Sequence, residues 1–271
     1  MTQTSRSLIP FASIRAAVFD MDGVLWRAAT LLPGVAEFFA FLQQHDIQIA
    51  FATNNSTSTV EAYVKKLSGY GIPAEPHQII TSAVATANYM HHHYPAATPL
   101  YIIGETGIRQ ALAEYGFVVD PDQAQVVIVG MDRELTYAKM QVATLLIGRG
   151  AAFIGTNGDR SFPIPEGIAP GSGSILAAIE AATDVAPIVI GKPETAMFDV
   201  ALERIGVTPE QAVMIGDRLE TDILGAQRAG LYTALMLTGV TSPELAASSE
   251  IQANGVFAAL PDLLVAWEAA L

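Results

Sequence analysis

The sequence predicts an α/β protein in which helices cover parallel strands. Two features of the 271-residue chain lead to this fold class. Short apolar runs rich in β-branched residues recur along the chain, and amphipathic segments of helical period lie between them. Strands that alternate with helices in this way favour parallel sheets covered by helices.

The predicted strands follow one another through most of the chain. They cover residues 16–20, 47–52, 100–103, 126–130, 152–155, 188–191, 212–216 and 232–237. The segments at 33–45 and from residue 59 onward have the apolar spacing of amphipathic helices. Ser58 and Glu61 have the spacing of a capping box for the second of these helices.

The acidic motifs divide the chain into three parts. They lie near the start and in the last third, whereas residues 82–186 lack them and carry strands and helices of their own. We therefore predict a doubly wound core built from residues 1–81 and 187–271, with a smaller α/β domain inserted at 82–186.

The composition limits the classes of partner. The net charge is −13, from 27 acidic and 14 basic residues, and no basic run is present, so a nucleic-acid partner is not expected. The longest apolar runs fall far short of the ~20 residues of a bilayer-spanning helix, and we recognise no signal peptide, so no membrane partner is expected. The chain has no cysteine, which excludes disulfides and suits a cytoplasmic location.

The first strand ends in two aspartates, Asp20 and Asp22, followed by Gly23. Side chains two positions apart on a strand point the same way, so both carboxylates are expected at the carboxyl edge of the sheet, where open α/β sheets bind ligands. Two like charges this close are stable if a cation lies between them or if one carboxyl stays protonated. An ordinary polar exit from a strand is the less favoured interpretation.

Polar residues also follow three later strands. Thr53 and Asn54 offer a hydroxyl and an amide to an oxyanion, although such residues are also routine helix caps. Lys192 can neutralise a phosphate, or it can simply be solvated, as most lysines are. Asp217 has no easy alternative role, whereas Asp222 could instead be the N-cap of the next helix.

These strand ends together would bring four carboxylates close to one lysine. Such a set requires a bound cation. All-oxygen ligands select a hard ion, and cellular abundance together with affinity for phosphate oxygens favours Mg²⁺.

This combination of motifs resembles the haloacid dehalogenase (HAD) superfamily of phosphatases, whose pattern is DxDG on the first strand, Ser or Thr on the second, a lysine and a later acidic pair. The segments TNNST, IGKPE, GDRLETDI and LTGVT look more narrowly like its class II branch, which contains para-nitrophenylphosphatase, phosphoglycolate phosphatase and related sugar-phosphate and nucleotide phosphatases. That branch inserts an α/β cap after the second motif, and VVIVGMDRELTY, FIGTNGD and PGSGS resemble it. The resemblance therefore implies a HAD-like Rossmannoid core with an inserted cap.

The resemblance also implies catalytic roles. Asp20 would attack phosphorus to form an aspartyl-phosphate, and Asp22 would protonate the leaving oxygen and then activate water. Thr53, Asn54 and Lys192 would hold the phosphoryl oxygens.

The metal site follows from the same resemblance. Mg²⁺ would be held by the side chain of Asp20, the backbone carbonyl of Asp22 and Asp217, with Asp222 nearby or behind these ligands.

Specificity is expected to come from the inserted domain. The candidates to contact the leaving group follow two of its predicted strands, namely Asp132, Arg133, Asn157, Asp159 and Arg160. The substrates that the resemblance implies are small phosphorylated metabolites, and it also suggests a homodimer assembled through the cap.

Several functions compete at this point. The leading hypothesis is a Mg²⁺-dependent phosphatase acting on small phosphomonoesters. A dehalogenase on the same fold needs neither Asp22 nor a metal, so the presence of Asp22 argues against it. A phosphomutase stays open, and a phospho-acceptor signalling module uses a similar set of residues but has no use for an inserted cap.

Overall fold

The computed structural model of this protein describes residues 7–164 and 166–271, which form two compact units. The first unit comprises residues 7–53, 64–79 and 198–271. The second unit comprises residues 54–63, 80–164 and 166–197.

Strands and helices alternate through both units. The strands are β1 (Ala16–Phe19), β2 (Trp26–Arg27), β3 (Thr30–Leu31), β4 (Gln48–Thr53), β5 (Ile79–Thr81), β6 (Pro99–Ile103), β7 (Val118–Val119), β8 (Val126–Val129), β9 (Ala152–Gly155), β10 (Ser161–Ile164), β11 (Gly167–Pro170), β12 (Ile188–Val189), β13 (Ala212–Gly216), β14 (Tyr232–Met236) and β15 (Gly255–Phe257). The α-helices are α1 (Val35–Gln44), α2 (Val60–Gly69), α3 (Ser82–His93), α4 (Thr106–Glu114), α5 (Tyr137–Gly148), α6 (Ser172–Thr183), α7 (Ala196–Ile205), α8 (Leu224–Arg228), α9 (Pro243–Ser248) and α10 (Leu260–Glu268). Short 3₁₀ helices lie at Phe11–Ser13, Pro76–Gln78 and Pro209–Gln211, and a π-helical turn lies at Leu219–Ile223.

The first sheet has six strands in the order β15-β14-β13-β1-β4-β5. Strand β1 pairs in parallel with β13 on one side and with β4 on the other, so that Phe19 is level with Ile215 and with Phe51. The chain leaves β1 toward β4 and later returns to β13, which reverses the strand order at β1. In open α/β sheets such a reversal creates a crevice at the carboxyl ends of the strands, and ligands bind there.

Aromatic packing in the first unit fixes the central strand. All four residues of β1 are buried. The ring of Phe19 stacks on Phe39 of α1 with a centroid distance of 5.0 Å, and Trp267 of α10 lies 5.0 Å from Phe11. Because packed interiors tolerate little displacement, the carboxyl end of β1 is held in a defined place.

The second sheet has five parallel strands in the order β12-β9-β8-β6-β7. Its apolar core joins the sheet to α5 and α6, with Val127 and Val129 packed among Leu146, Ile147 and Ile179. The strands β10 and β11 form an antiparallel hairpin ahead of α6.

The sequence-based expectations can be compared with these elements. All eight predicted strands are present, with ends that differ by at most two residues, and the α/β class with parallel sheets is confirmed. The predicted N-cap of α2, Ser58, is wrong by one residue. The Thr59 Oγ1 atom accepts from the Ala62 N–H at 3.3 Å, and the helix begins at Val60. The division into a core and an inserted cap at residues 82–186 stays a prediction.

None of the helices within residues 7–164 and 166–271 combines the length and the hydropathy that a bilayer-spanning segment requires.

Candidate active site

Three carboxylates converge at the carboxyl edge of the first sheet. Asp20 follows β1 and Asp217 follows the neighbouring strand β13. The Asp20 N–H donates to the carbonyl of Ile215 at 2.9 Å, which continues the pairing of the two strands up to this point. One carboxylate oxygen from each of Asp20, Asp217 and Asp222 lies within 4.8 Å of the other two.

Asp222 reaches this cluster through the π-helical turn at Leu219–Ile223. Its Oδ2 atom accepts from the backbone N–H groups of Asp217 at 3.2 Å and Arg218 at 3.0 Å. Helix α8 begins only at Leu224, so the interpretation of Asp222 as the N-cap of that helix is wrong. The turn instead folds the Asp222 carboxylate back over the end of β13.

The chain around Asp217 leaves room for its carboxylate and orients it. The Oδ2 atom accepts from the N–H of Val240 at 2.7 Å, and the Thr241 hydroxyl donates to the Asp217 carbonyl at 2.6 Å. A Cβ atom at Gly23 or Gly239 would collide with this carboxylate, and Gly23 also has a φ of +89°, so both positions favour glycine.

The donor set of this three-aspartate cluster fits a metal ion. Asp217 and Asp222 are each only 1% exposed, where carboxylates that crowd together repel one another strongly. A cation among the three oxygens removes that repulsion, and carboxylate oxygens are the ligands that hard divalent cations prefer. The cluster can therefore hold a metal ion.

Asp22 is not a member of this cluster of carboxylate oxygens, and the expectation that its carboxylate faces the same site as that of Asp20 stays a prediction. Strand β1 ends at Phe19, and the following residues fold back on themselves, so the alternation of side chains along a strand does not reach Asp22. The Asp22 side chain is exposed, and its Oδ1 atom accepts from the indole Nε1 of Trp26 at 2.7 Å.

Lys66 is a cationic residue whose charge interacts with the Asp22 carboxylate. Its Nζ atom lies 3.8 Å from the centre of the Trp26 ring. Burial lowers the pKa of Lys66, and the negative charge of Asp22 offsets part of this effect.

Thr53 and Asn54, which were predicted to bind an oxyanion, lie at the carboxyl end of β4. Thr53 is the last residue of β4, the neighbour of β1, and is 4% exposed. Asn54 follows it directly and belongs to the second unit. The Nδ2 atom of Asn54 donates to the carbonyl of Lys192 at 3.0 Å and to the carboxylate of Asp159 at 3.2 and 3.3 Å.

Known proteins resemble this chain over most of its length. A model of haloacid dehalogenase-like hydrolases matches residues 17–118, and a HAD-hydrolase-like model matches residues 189–263. The acid sugar phosphatase of Staphylococcus haemolyticus is 39% identical over 228 residues, which are 84% of this chain and 86% of that relative. This chain belongs to the haloacid dehalogenase-like hydrolases.

Two further relatives support the membership of this chain in the family. The 5'-nucleotidase YutF of Bacillus subtilis is 37% identical over 227 residues, covering 84% of this chain and 88% of the relative. The crystal structure of a 4-nitrophenylphosphatase from Thermotoga maritima superposes with a TM-score of 0.91 at 34% identity, covering 97% of this chain and 99% of that one. The predicted family is confirmed, and so is the predicted enzyme class, a phosphoric monoester hydrolase.

The residues predicted to determine specificity differ from one another in burial and in their contacts. Asp132 is buried and pairs with Lys139 at 2.8 Å, and the exposed Arg133 pairs with Glu105 at 2.9 Å. Arg160 is exposed, and within the described part of the chain its side chain makes no hydrogen bond or ion pair.

Asn157 is 4% exposed, and internal contacts occupy its side chain. Its Nδ2 atom donates to the carbonyl of Asn54 at 2.7 Å, while its Oδ1 atom accepts from the Ser172 hydroxyl at 2.6 Å and from the Asp159 N–H at 3.2 Å. These contacts join three segments of the second unit, at residues 54, 157–159 and 172.

Sequence reasoning missed Trp26 and Lys66 of this HAD-like hydrolase. Trp26 lies only four positions after Asp22, which is a visible signal. Lys66 lies forty positions further on, and its contact with the indole arises from the packing of α2.

Proposed function

We propose that this enzyme is a Mg²⁺-dependent phosphatase that hydrolyses small phosphomonoesters through an aspartyl-phosphate intermediate. The observation that carries the proposal is the convergence of Asp20, Asp217 and Asp222 at the switch point of a parallel sheet. Family membership supports it, because relatives named as phosphatases cover most of the chain.

Asp20 is the proposed nucleophile. Its carboxylate attacks phosphorus, so a bond forms between Asp20 and phosphorus while the bond from phosphorus to the ester oxygen breaks. The carboxyl proton of Asp22 goes to the departing oxygen. Asp22 then accepts a proton from water, whose oxygen attacks phosphorus and releases inorganic phosphate and free Asp20.

Thr53, Asn54 and Lys192 are the proposed ligands of the phosphoryl oxygens. The hydroxyl, the amide and the ammonium group each supply a donor to an anion that carries negative charge on several oxygens. The hydrogen bonds from Asn54 to Asp159 are long, at 3.2 and 3.3 Å, so a phosphoryl oxygen can compete for the same donor.

Mg²⁺ is proposed to be held by the Asp20 carboxylate, the backbone carbonyl of Asp22 and Asp217, with Asp222 beside them. When bound, the ion would neutralise the negative charge that the substrate and the aspartates bring together. The neutral backbone donors to Asp217 and Asp222 support this role, since they orient both carboxylates without cancelling their charge.

The substrate class is proposed from the relatives. Names such as acid sugar phosphatase, 5'-nucleotidase and 4-nitrophenylphosphatase favour sugar phosphates, nucleotides and aryl phosphates, and the resemblance adds phosphoglycolate. Residues 82–186 are the proposed cap, and Asp132, Arg133, Asp159 and Arg160 are its proposed specificity residues, with Asn157 in a supporting role. A cytoplasmic location and a homodimer assembled through the cap complete the proposal.

A time course of phosphate release tests the function. Purified protein is incubated with a panel of phosphorylated metabolites and with 4-nitrophenyl phosphate, with Mg²⁺ or with a chelator. We expect continuous release of inorganic phosphate that requires Mg²⁺.

Each competing function gives a different result. A phosphomutase would isomerise the ester without releasing phosphate, and a signalling module would stop after one phosphate per chain. A dehalogenase would release halide from a haloacid and leave the phosphate esters intact. Any of these outcomes would contradict the proposal.

A further inference from the structure

A buried tryptophan holds the carboxylate of Asp22. Trp26 is fully buried, yet its Nε1 atom donates to the Oδ1 atom of the exposed Asp22 at 2.7 Å. The backbone closes the same loop, because the Gly23 N–H donates to the Trp26 carbonyl at 2.7 Å and the Leu25 N–H donates to Met21 at 2.9 Å. A hydrogen bond from an N–H to a carboxylate is short and strong, so it fixes the orientation of the Asp22 side chain.

The indole is itself held by residues on and just after α2. The ring of Tyr70 stacks on it with a centroid distance of 5.5 Å and an interplanar angle of 26°. The Tyr70 hydroxyl donates to the carbonyl of Ala29 at 2.9 Å, which ties this stack to the turn between β2 and β3. The ammonium group of Lys66 lies 3.8 Å from the ring centre. A cation over the ring draws electron density from the indole, which strengthens its N–H as a donor.

This bond leaves one oxygen of Asp22 available. Only Oδ1 is engaged by Trp26, and within the described part of the chain no donor contacts Oδ2. The carboxylate is therefore fixed through one oxygen and presents the other at the surface of the first unit.

We propose that Trp26 is a positioning residue for proton transfer by Asp22, and that Lys66 and Tyr70 hold the indole in place for this purpose. The inference rests on the proposed function, in which Asp22 protonates the leaving oxygen. A general acid must lie within hydrogen-bond reach of the atom that it protonates, so loss of its orientation slows the chemical step more than it weakens substrate binding.

The second tryptophan provides the contrast that favours a functional role. Trp267 is also fully buried in the first unit, and its Nε1 atom has no hydrogen-bond partner among the described residues. The part of the first unit that the structure describes therefore leaves the N–H of this buried indole without a partner. The bond of Trp26 is directed instead to an exposed carboxylate, whose ordering costs conformational entropy and adds little to stability.

Trp26→Phe is the variant that tests this role, and Trp267→Phe is its matched control. Phenylalanine keeps an aromatic ring beneath Lys66 and removes the N–H donor. We expect Trp26→Phe to lower kcat/KM, which covers only the steps up to release of the leaving group, by about 10-fold or more on an alkyl ester such as glycerol phosphate. The kcat/KM on 4-nitrophenyl phosphate should fall less than about 3-fold, because nitrophenolate leaves without help from an acid and the later activation of water by Asp22 does not enter kcat/KM.

The dependence on the leaving group distinguishes positioning from a general structural effect. Trp267→Phe should leave the ratio of the two kcat/KM values as in the wild type, and Lys66→Met should shift the ratio in the same direction as Trp26→Phe by a smaller factor. An equal fall on both esters, or no fall on either, would overturn the inference.

Nuclear magnetic resonance supplies a second readout that does not depend on activity. The chain has two tryptophans and therefore two indole N–H resonances. Asp22→Ala should move one of them upfield, and this should be the resonance that disappears in Trp26→Phe. If both resonances keep their positions in Asp22→Ala, the hydrogen bond is absent and the positioning role is excluded, even where Trp26→Phe itself fails to fold.

The two proposals fail in different ways. If the wild-type protein releases no phosphate from either ester, the proposed function is wrong and the inference falls with it. If the wild type is active and Trp26→Phe retains the wild-type ratio of the two kcat/KM values, only the positioning role is wrong.

Discussion

Two polar clusters of this molecule lie at strand ends, and their chemistry differs. The three-aspartate cluster of the first unit brings together three carboxylates, of which Asp217 and Asp222 are almost fully buried. The cluster around Asn54 and Asn157 in the second unit combines amide, hydroxyl and carbonyl groups with the single carboxylate of Asp159.

The two clusters differ in how charge and hydrogen bonding are balanced. Around Asn157 donors and acceptors are matched, because both polar atoms of its side chain have protein partners, whereas the buried Asn54 Oδ1 atom has none among the described residues. The first cluster concentrates like charges, which is unfavourable in a folded protein unless a ligand compensates. We therefore expect the first cluster to govern turnover and Asn157 of the second cluster to act on stability, while Asn54 and Asp159 keep the contacts with the substrate proposed above.

The largest expected effect comes from Asp20→Asn. The amide is a poor nucleophile, so turnover of 4-nitrophenyl phosphate should fall at least ~10³-fold while the protein stays folded. Asp46→Asn is the control, because Asp46 is exposed and its left-handed backbone, with a φ of 54°, suits asparagine. Near-normal phosphate release by Asp20→Asn would remove this residue from the catalytic role.

Lys192→Ala separates the structural role of the Lys192 backbone carbonyl from the proposed catalytic role of its ammonium group. The backbone carbonyl that accepts from Asn54 is retained, so the second cluster should stay intact. Turnover should nevertheless fall by about 10² or more, because the ammonium group no longer stabilises charge in the transition state. A full rate for this variant, equal to that of the exposed control Lys65→Ala, would show that the lysine is structural.

Asn157→Ala should act mainly on stability. Removing the side chain breaks one hydrogen bond of the Asn54 carbonyl and one of the Ser172 hydroxyl, each of which keeps a second partner, and this should lower the free energy of unfolding by about 1–3 kcal/mol. The order of preference over a panel of phosphate esters should stay the same. Arg160→Ala, at an exposed neighbour, should change stability by less than about 0.5 kcal/mol.

The opposite pattern for Asn157→Ala would break the comparison. Unchanged denaturant unfolding together with a reordered substrate panel would return Asn157 to the specificity residues.

The sequence predicted most of the fold because apolar runs and helical period are local signals. The strands that it missed are only two to four residues long. Strand β5 has three residues, β15 begins at a glycine, and β10 and β11 contain prolines. Pairing with neighbouring strands, rather than intrinsic preference, determines these short elements.

The acidic cluster was predictable for a related reason. Asp20 and Asp217 follow apolar strands, and parallel neighbours bring their carboxyl ends to one edge. The position of Asp222 was predicted less well, because a π-helical turn replaced the expected helix start. The orientation of Asp22 depends on the Trp26 indole, which three intervening residues in an irregular loop bring back to it, and no periodicity of the sequence predicts such a contact.

A calorimetric titration of Mg²⁺ into the wild-type protein and into Asp217→Asn tests the central claim, that the three-aspartate cluster is a cation site. We predict one Mg²⁺ per wild-type chain and an affinity at least about 10- to 100-fold weaker in Asp217→Asn, with wild-type binding retained in Asp46→Asn. Absence of binding to the wild type, or the same affinity in Asp217→Asn, would contradict the account.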